Sequence, residues 1–225
     1  EIRELIEQKK VIGWDDPGLV TIKALRRRGI VKEAFYQLAR EIGLSKTQTN
    51  IDFQLIASIN RKLLDPKCDR YFFISDPVKI RINNAPNQKL ELKLHPDFPD
   101  KGKREFETKD EFYITKQDNK ALNNNKLYRL MDCLNFTKKA NRFIFDSTEH
   151  EKYKDKGEKI IHWLPTQKDL VNVEILMPDK KLVKGLGESS LNKLKEDDVI
   201  QFTRFGFVRL DKKEKDKLVF WYTHD

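Results

Sequence analysis

The stretch Arg70-Tyr-Phe-Phe-Ile-Ser75, followed by Val78-Lys-Ile-Arg-Ile82, decides the fold class, because the spacing of apolar residues changes there. Before Arg70 the apolar positions recur at helical spacing, and after it they alternate. The Tyr71–Ser75 run is predicted to be an apolar strand, and the next stretch has the alternation of a half-buried antiparallel strand. The chain is therefore predicted to pass from a helical part into a β part at Arg70.

On the N-terminal side, the pattern predicts a small helical bundle that reaches to about Asp65. Thr21 is a suitable N-cap for a short helix through Arg28, and Gly29 lies just past its end. Apolar residues on one face predict further helices over 31–42 and from about 52 to the residues before Pro66. Residues 1–10 are predicted to be the exposed end of another helix.

On the C-terminal side, Leu90–Leu94 alternates like Val78–Ile82, and Asn83–Asn87 is predicted to be a turn or hairpin loop. Further short strands are predicted over 111–115, 127–132, 142–146, 159–164, 171–176, 199–204, 206–210 and 218–222. Residues 146–157 and 211–216 are predicted to be charged loops. Many short strands indicate barrels or sandwiches. The sequence has no β-α alternation and no glycine-rich phosphate loop, so it contains no recognisable Rossmann domain.

Composition favours an anionic partner. The 225 residues carry 45 Lys and Arg against 36 Asp and Glu, a net charge of +9. Such a balance most often indicates nucleic-acid binding, while a soluble protein with a mixed Lys/Glu surface is the equally open alternative. No apolar run approaches the roughly 18–20 residues that a membrane span needs. The two cysteines and four histidines show no metal-ligand spacing, and the scarcity of cysteine fits a reducing compartment.

The segment Val11-Ile-Gly-Trp-Asp-Asp-Pro17 precedes the first capped helix, which ends in Arg26, Arg27 and Arg28. Successive helical residues are about 100° apart, so the three arginines cannot all face one phosphate. We expect one or two of them to pair with Asp15 or Asp16 or to cap the helix. Trp14 is predicted to be a core anchor.

The segment Val11–Pro17 and the helix after it, together with three later motifs, resemble one family. The later motifs are Cys68-Asp-Arg-Tyr-Phe-Phe-Ile-Ser-Asp-Pro-Val78, Tyr128-Arg-Leu-Met-Asp-Cys-Leu-Asn135 and Gln201-Phe-Thr-Arg-Phe-Gly-Phe-Val-Arg-Leu210. The family is the class I glutamyl- and glutaminyl-tRNA synthetases of the archaeal and eukaryotic type. The resemblance covers nearly the whole chain in order, and the last two motifs look more like the archaeal glutamyl enzymes.

The resemblance implies a C-terminal tRNA-binding half, since the family's catalytic signatures do not occur in this sequence. The implied fold class is α+β and multidomain, a small N-terminal helical bundle followed by two antiparallel β-barrels. The implied domains are a helical module that contacts the inner corner of the tRNA (1–68), a proximal anticodon-binding barrel (69–110 and 168–225) and a distal one (111–167). Gly18 departs from the family pattern, which usually has Arg there.

The resemblance also implies contact residues. By motif match, the positions expected to contact the anticodon are Arg70, Arg129, Gln201 and Arg204, and Asp97 matches a position close to the anticodon in glutaminyl relatives. The positions expected to contact the tRNA backbone are Arg26, Arg28, Lys46 and Thr47. Arginine suits base recognition because its fork can meet two acceptors, whereas a lysine acts on phosphate as a point charge. The bland alternative is surface ion pairs for the arginines and a solvated loop around Lys46.

The function that the resemblance implies is the tRNA-binding part of a glutamate–tRNA ligase, in a cytoplasmic protein. The whole enzyme would use ATP and Mg²⁺, whereas this piece would be inactive alone and would bind no cofactor. We expect a monomer that binds tRNA(Glu), with tRNA(Gln) left open as a further partner. The alternatives are the corresponding part of a glutaminyl-tRNA synthetase and a freestanding, non-catalytic tRNA-binding or scaffold protein.

Overall fold

The computed structural model describes residues 2–43 and 52–225. Its α-helices are Ile2–Glu7 (α1), Ile22–Arg28 (α2), Lys32–Ile42 (α3), Phe53–Leu64 (α4), Lys116–Ala121 (α5) and His150–Lys154 (α6). Two short 3-10 helices span Pro99–Lys101 and Ser189–Lys193. Within the described part of the chain, no helix is long and apolar enough to cross a membrane.

The rest of the regular structure consists of short strands. They are Arg70–Tyr71 (β1), Phe73–Ser75 (β2), Pro77–Asn83 (β3), Gln88–Lys93 (β4), Lys103–Thr108 (β5), Glu111–Thr115 (β6), Leu127–Leu130 (β7), Asn135–Lys139 (β8), Arg142–Ser147 (β9), Gly157–Ile161 (β10), Leu164–Pro165 (β11), Val171–Leu176 (β12), Leu182–Gly187 (β13), Val199–Phe202 (β14), Gly206–Lys213 (β15) and Lys217–His224 (β16).

The chain folds into two compact units. The first unit comprises residues 1–69, 174–183 and 194–225, and the second comprises 70–173 and 184–193. The strands β12 and β13 each contribute residues to both units. This grouping places the N-terminal helices with the C-terminal strands, whereas the domain boundaries predicted from the sequence set the helices apart as 1–68. The three-part division stays a prediction.

In the first unit, α2 is capped as its sequence predicts. The Thr21 hydroxyl accepts a hydrogen bond from Ala24 N at 3.1 Å, and Gly29 ends α2 with a left-handed φ of 106°. A Cβ at Gly29 would lie 2.7 Å from Thr223 Oγ1, so both the dihedral angle and the space require glycine there. The core between α2, α3 and α4 consists of Leu25, Ile30, Ala34, Leu38, Ile56 and Ile59.

The strands β14, β15 and β16 of the first unit form an antiparallel ladder, in which β15 and β16 pack on α2 and β16 also packs on α4. Arg28, on α2, donates to Tyr222 O at 3.1 Å and to Thr223 O at 2.9 Å, and its guanidinium lies 4.7 Å from the Phe53 ring. Asn60, on α4, accepts from Val31 N at 2.9 Å, and its Nδ2 lies 2.9 Å from His224 Nε2. Side chains from two helices therefore hold the last strand.

In the second unit, the main sheet has the order β10-β7-β8-β9-β3-β6-β11, and β4 pairs with β5 in a separate hairpin. Its core includes the aromatic residues Phe72, Phe106, Phe112, Tyr128, Phe136 and Trp163. Away from the main sheet, Arg104 and Glu188 form a buried ion pair, and Glu188 also accepts from Phe72 N. Burial raises the pKa of Glu188 against the opposing effect of Arg104 and the hydrogen bonds.

The overall class is confirmed as helices followed by β-sheet, but the strand pairing differs from the prediction in two ways. The neighbours β10–β7 and β3–β9 are parallel, whereas the prediction was of purely antiparallel barrels. Asn83–Asn87 is a turn but not a hairpin loop, because β3 pairs with β6 and β9 while β4 pairs with β5. Alternation identifies a strand, but it does not specify the partner of that strand.

Several elements were absent from the sequence prediction. The strands β5, β8 and β13 and the short helices α5 and α6 were not expected, and α6 lies inside the predicted charged loop at 146–157. The final hairpin is also longer than predicted, since β15 runs to Lys213 and leaves Glu214–Asp216 as its loop. Short, highly charged elements have too few apolar residues to show a period.

The segment at 11–18 is organised by Asp16, which is 1% exposed. Its carboxylate accepts from Ile12 N at 2.9 Å and Gly18 N at 3.0 Å, and it pairs with Lys180 at 3.1 Å. Burial would raise the pKa of Asp16, but these partners together lower it. A Cβ at Gly18 would lie 3.1 Å from Pro178 O, so the position where the family usually has Arg is closely packed here.

The prediction that Trp14 is a core anchor is wrong, because its side chain is 43% exposed. Ile12, Val20 and Ile22, its neighbours along the chain, are exposed as well. An aromatic residue in a turn is not buried unless another element covers it. In the first unit the core-facing positions of α2 are occupied by Ala24 and Leu25 instead.

Candidate nucleic-acid interface

Arg129 is the best-defined of the predicted contact residues. It lies on β7 of the second unit between Tyr128 and Leu130, which point into the core. Side chains alternate along a strand, so Arg129 lies on the opposite face. The residue is only 7% exposed, and its Nη1 donates to Asn135 Oδ1 at 2.8 Å and to Thr148 O at 3.0 Å. One edge of the guanidinium is therefore held by the protein itself.

The partners of Arg129 follow from the strand register. Arg129 pairs across the ladder with Asn135 on β8, and Asn135 pairs with Ser147 on β9. Residues directly opposite each other share a face and lie within side-chain contact. Asn135 is fully buried and donates from Nδ2 to Ser147 Oγ at 2.9 Å and to Glu149 O at 2.8 Å. The three side chains form one continuous polar row across three strands.

Arg129 does not form a surface ion pair, which was the alternative to an RNA contact. Both hydrogen bonds that it makes within the described residues go to neutral acceptors, and no carboxylate pairs with it there. Burying a cation costs several kcal/mol, and neutral acceptors offset this less well than a carboxylate does. Such a guanidinium is suited to an additional acceptor that arrives with a ligand.

Two ionisable neighbours of Arg129 are kept neutral by burial. Burial raises the pKa of the Cys133 thiol to about 12, although the nearby Arg129 charge acts in the opposite direction. Burial also raises the pKa of Tyr153, which lies on α6 and is 7% exposed. Neither side chain supplies a counter-charge at neutral pH. Tyr128 is 1% exposed and accepts from Asn123 N, so it is a core residue and not a stacking platform.

Gln201 and Arg204 lie at the β14–β15 turn of the first unit. Gln201 is half-buried near the end of β14, and its Oε1 is buried with no hydrogen-bond partner among the described residues. Arg204 is exposed in the turn and has a left-handed φ of 64°. This conformation is uncommon for a residue with a long side chain. Phe205 packs edge-on against Tyr222 at 5.8 Å. The turn thus presents Arg204 outward from a fixed hairpin.

Arg70 and Asp97 belong to the second unit. Arg70 begins β1, is half-buried, and donates from its backbone N to Leu94 O at 2.7 Å. Asp97 is exposed, and its backbone N donates to His95 Nδ1 at 3.1 Å. His95 is fully buried against the Phe98 ring, with ring centroids 4.8 Å apart. The buried histidine therefore fixes the turn that exposes Asp97.

The three arginines at the end of α2 have different surroundings. Arg26 is exposed, and Arg28 is 4% exposed with its guanidinium on the backbone of β16. Arg27 pairs with Asp15 at 2.7 Å and Asp211 at 2.9 Å and lies 4.0 Å from the Trp221 ring. The expectation that one arginine would pair with Asp15 or Asp16 is confirmed. The Arg28 side chain is buried against the protein's own β16 backbone, so it is not exposed to the phosphates of a tRNA.

The expected contacts at Lys46 and Thr47 lie outside the described residues. Of the other predicted positions, Arg70, Asp97 and Arg129 share the second unit, while Arg26, Arg28, Gln201 and Arg204 share the first. In residues 2–43 and 52–225, no three His, Cys, Asp or Glu side chains are grouped to hold a metal ion. Sequence reasoning missed Asn135, because β8 was not predicted and its register with β7 was therefore unknown.

Two family models match the chain, and both are described as tRNA synthetases class I (E and Q), anti-codon binding domain. The first matches residues 68–153, which contain Arg70, Asp97, Arg129 and Asn135. The second matches residues 160–211, which contain Gln201 and Arg204.

Curated relatives match almost the whole chain. A glutamate–tRNA ligase of Pyrococcus furiosus is 41% identical over 99% of the chain. One of Methanocaldococcus jannaschii is 39% identical over 94% of it, and one of Methanobrevibacter smithii is 39% identical over 98%. The chain spans about 40% of the length of these relatives. The resemblance drawn from the motifs is confirmed.

Proposed function

Because this chain belongs to the class I (E and Q) tRNA synthetase family and carries its anticodon-binding domains, we propose that it binds the anticodon of tRNA(Glu). It would do so as the C-terminal part of a glutamate–tRNA ligase. The relatives bear that name and match over almost the whole chain, which supports the glutamyl assignment over the glutaminyl alternative. The chain would provide affinity for the tRNA and would distinguish tRNA(Glu) from other tRNAs by its anticodon.

The observation that carries the proposal is the environment of Arg129. A buried guanidinium held on one edge by neutral acceptors keeps its charge and its orientation while its other donors remain for a ligand. An unstacked base offers acceptors that match an arginine fork, and single-stranded loops are where RNA sequence is read. The fixed edge also reduces the rotamer entropy that Arg129 would lose on binding.

We assign the other positions by their exposure. Arg204, in its hairpin turn, and Asp97, in its histidine-supported turn, are exposed and would contact the anticodon loop together with the half-buried Arg70 and Gln201. Arg26, Lys46 and Thr47 would contact backbone phosphates, where they add affinity without sequence choice. Arg28 is not included in this set because its side chain is buried.

The proposal extends to the rest of the protein only through the relatives. A complete ligase would use ATP and Mg²⁺ to join glutamate to its tRNA, and we assign no residue of this chain to either group. We also propose that the two β parts close into barrels and that the protein is cytoplasmic and monomeric.

The test is a titration of the 225-residue chain with unmodified tRNA(Glu) transcripts at constant ionic strength. A transcript with a substituted anticodon should bind about 5- to 150-fold more weakly, as expected for a lost base contact of 1–3 kcal/mol. Arg129→Ala should reduce this preference, whereas the exposed control Arg142→Ala should preserve it. Equal affinity for both transcripts would contradict anticodon recognition and favour a freestanding RNA-binding protein. A preference for tRNA(Gln) would favour the glutaminyl alternative.

A further inference from the structure

Asn135 lies behind Arg129 and is itself 0% exposed, so it cannot touch a bound RNA. Its side-chain amide nevertheless makes three hydrogen bonds. Oδ1 accepts from Arg129 Nη1, and Nδ2 donates to Ser147 Oγ and Glu149 O. A primary amide has two N–H donors, and both are used.

This pattern determines which way the amide faces. If the amide were rotated by 180°, an N–H would face the Arg129 guanidinium, and Ser147 Oγ and Glu149 O would lose their donors. Buried polar groups left without partners cost about 1–3 kcal/mol each. The Asn135 oxygen is therefore held toward Arg129 by the two acceptors on its other side.

The same network reaches the segment that precedes α6. Arg129 Nη1 donates to Thr148 O, and Asn135 Nδ2 donates to the next carbonyl, Glu149 O. One carbonyl, Thr148 O, and one amide oxygen, Asn135 Oδ1, thus accept from the same guanidinium nitrogen, while the next carbonyl holds Asn135 in place. Because the guanidinium is rigid and planar, fixing one edge also fixes the direction of the opposite edge.

Resting on the proposed function, we propose that Asn135 is a positioning residue that sets the anticodon preference of Arg129 without contacting the RNA. Asn135 supplies a neutral acceptor, so it orients the guanidinium without neutralising it. A carboxylate at this position would also orient Arg129, but it would form a buried ion pair that competes with the acceptors of a base. Base recognition then depends on the amide and not only on the shape of the side chain.

The experiment is a double-mutant cycle on the ratio of dissociation constants for an anticodon-substituted and a cognate tRNA(Glu) transcript. Asn135→Ala should lower this ratio by nearly the same factor as Arg129→Ala, about 5-fold or more. In the double variant, Asn135→Ala should have no further effect, because it acts only through Arg129. Asn141→Ala, in the exposed β8–β9 turn, is the matched control and should leave the ratio unchanged.

Thermal unfolding of each variant separates positioning from folding, because a purely structural residue would shift the melting temperature and leave the ratio alone. If Asn135→Ala does not fold, the isosteric Asn135→Asp takes its place, and it too should lower the ratio. An unchanged ratio in the folded Asn135 variant, or an equal loss with and without Arg129, would overturn the inference. An unchanged ratio for Arg129→Ala would instead contradict the proposed role of Arg129, which is a separate result.

Discussion

At the scale of single residues, three consecutive arginines at the end of α2 have three different environments. Arg26 faces solvent, Arg27 is shared between Asp15 and Asp211, and Arg28 is buried on the backbone of β16. A helix turns by about 100° per residue, so neighbours necessarily face different environments. Burial lowers the pKa of Arg28 to about 10, which still leaves it charged at neutral pH. The same type of side chain is therefore exposed, ion-paired or buried according to its position on the helix.

This difference predicts unequal costs of truncation. Arg28→Ala should lower the free energy of unfolding by about 2–3 kcal/mol, because it removes the donors that Arg28 supplies to the Tyr222 and Thr223 carbonyls. Arg26→Ala, on the same helix, should change that free energy by no more than about 0.5 kcal/mol. Urea unfolding of both variants measures the comparison. A similar loss for both would show that Arg28 does not anchor the last strand.

At the scale of elements, the junction of α4 with β16 depends on a neutral histidine. His224 is 2% exposed, and its Nε2 lies 2.9 Å from Asn60 Nδ2, so that ring nitrogen must be the acceptor. Its ring also packs against Phe207 at 5.2 Å. Burial lowers the pKa of His224, as do the nearby Arg61 and Arg28 charges, against the opposing effect of Asp225. Protonation would replace the acceptor with a second donor facing Asn60.

The sign of the resulting pH dependence follows from this shift. A histidine with a lowered folded-state pKa is protonated first in the unfolded chain, so its stabilising contribution is present above about pH 6.5 and is lost as the pH falls. The free energy of unfolding should fall between pH 7.5 and 5.5, with His224 contributing at most about 1.4 kcal/mol per pH unit. His224→Gln should reduce this slope. The exposed His150→Gln is the control, and a slope unaffected by His224→Gln would refute the assignment.

At the scale of the whole molecule, the net charge of +9 favours an RNA affinity that falls as the salt concentration rises. Each phosphate neutralised by Lys or Arg releases counterions, so the logarithm of affinity falls linearly with the logarithm of salt concentration. This contribution does not depend on sequence, whereas base contacts change preference without changing the salt slope to the same extent. The contribution of phosphate contacts to affinity and the contribution of base contacts to anticodon preference can therefore be measured separately.

The prediction is that Arg26→Ala and Lys46→Ala each reduce the salt slope of tRNA binding by about 0.7–0.9. Both variants should weaken cognate and anticodon-substituted transcripts alike. Titrations at several salt concentrations provide the measurement, with Arg204→Ala as the contrasting variant that should lower anticodon preference. A change of anticodon preference in Lys46→Ala would contradict this division between phosphate and base contacts.

The sequence by itself determined the helix caps, the helical and alternating periods and the family, because these depend on neighbouring residues and on motif order. Thr21, Gly29 and Asp52 end or begin helices where local chemistry predicts. Only the tertiary structure decided which strands pair, which of three arginines is buried, and that Asn135 stands beside Arg129. These facts join residues far apart in the chain or depend on register, and a local pattern of hydrophobicity does not carry that information.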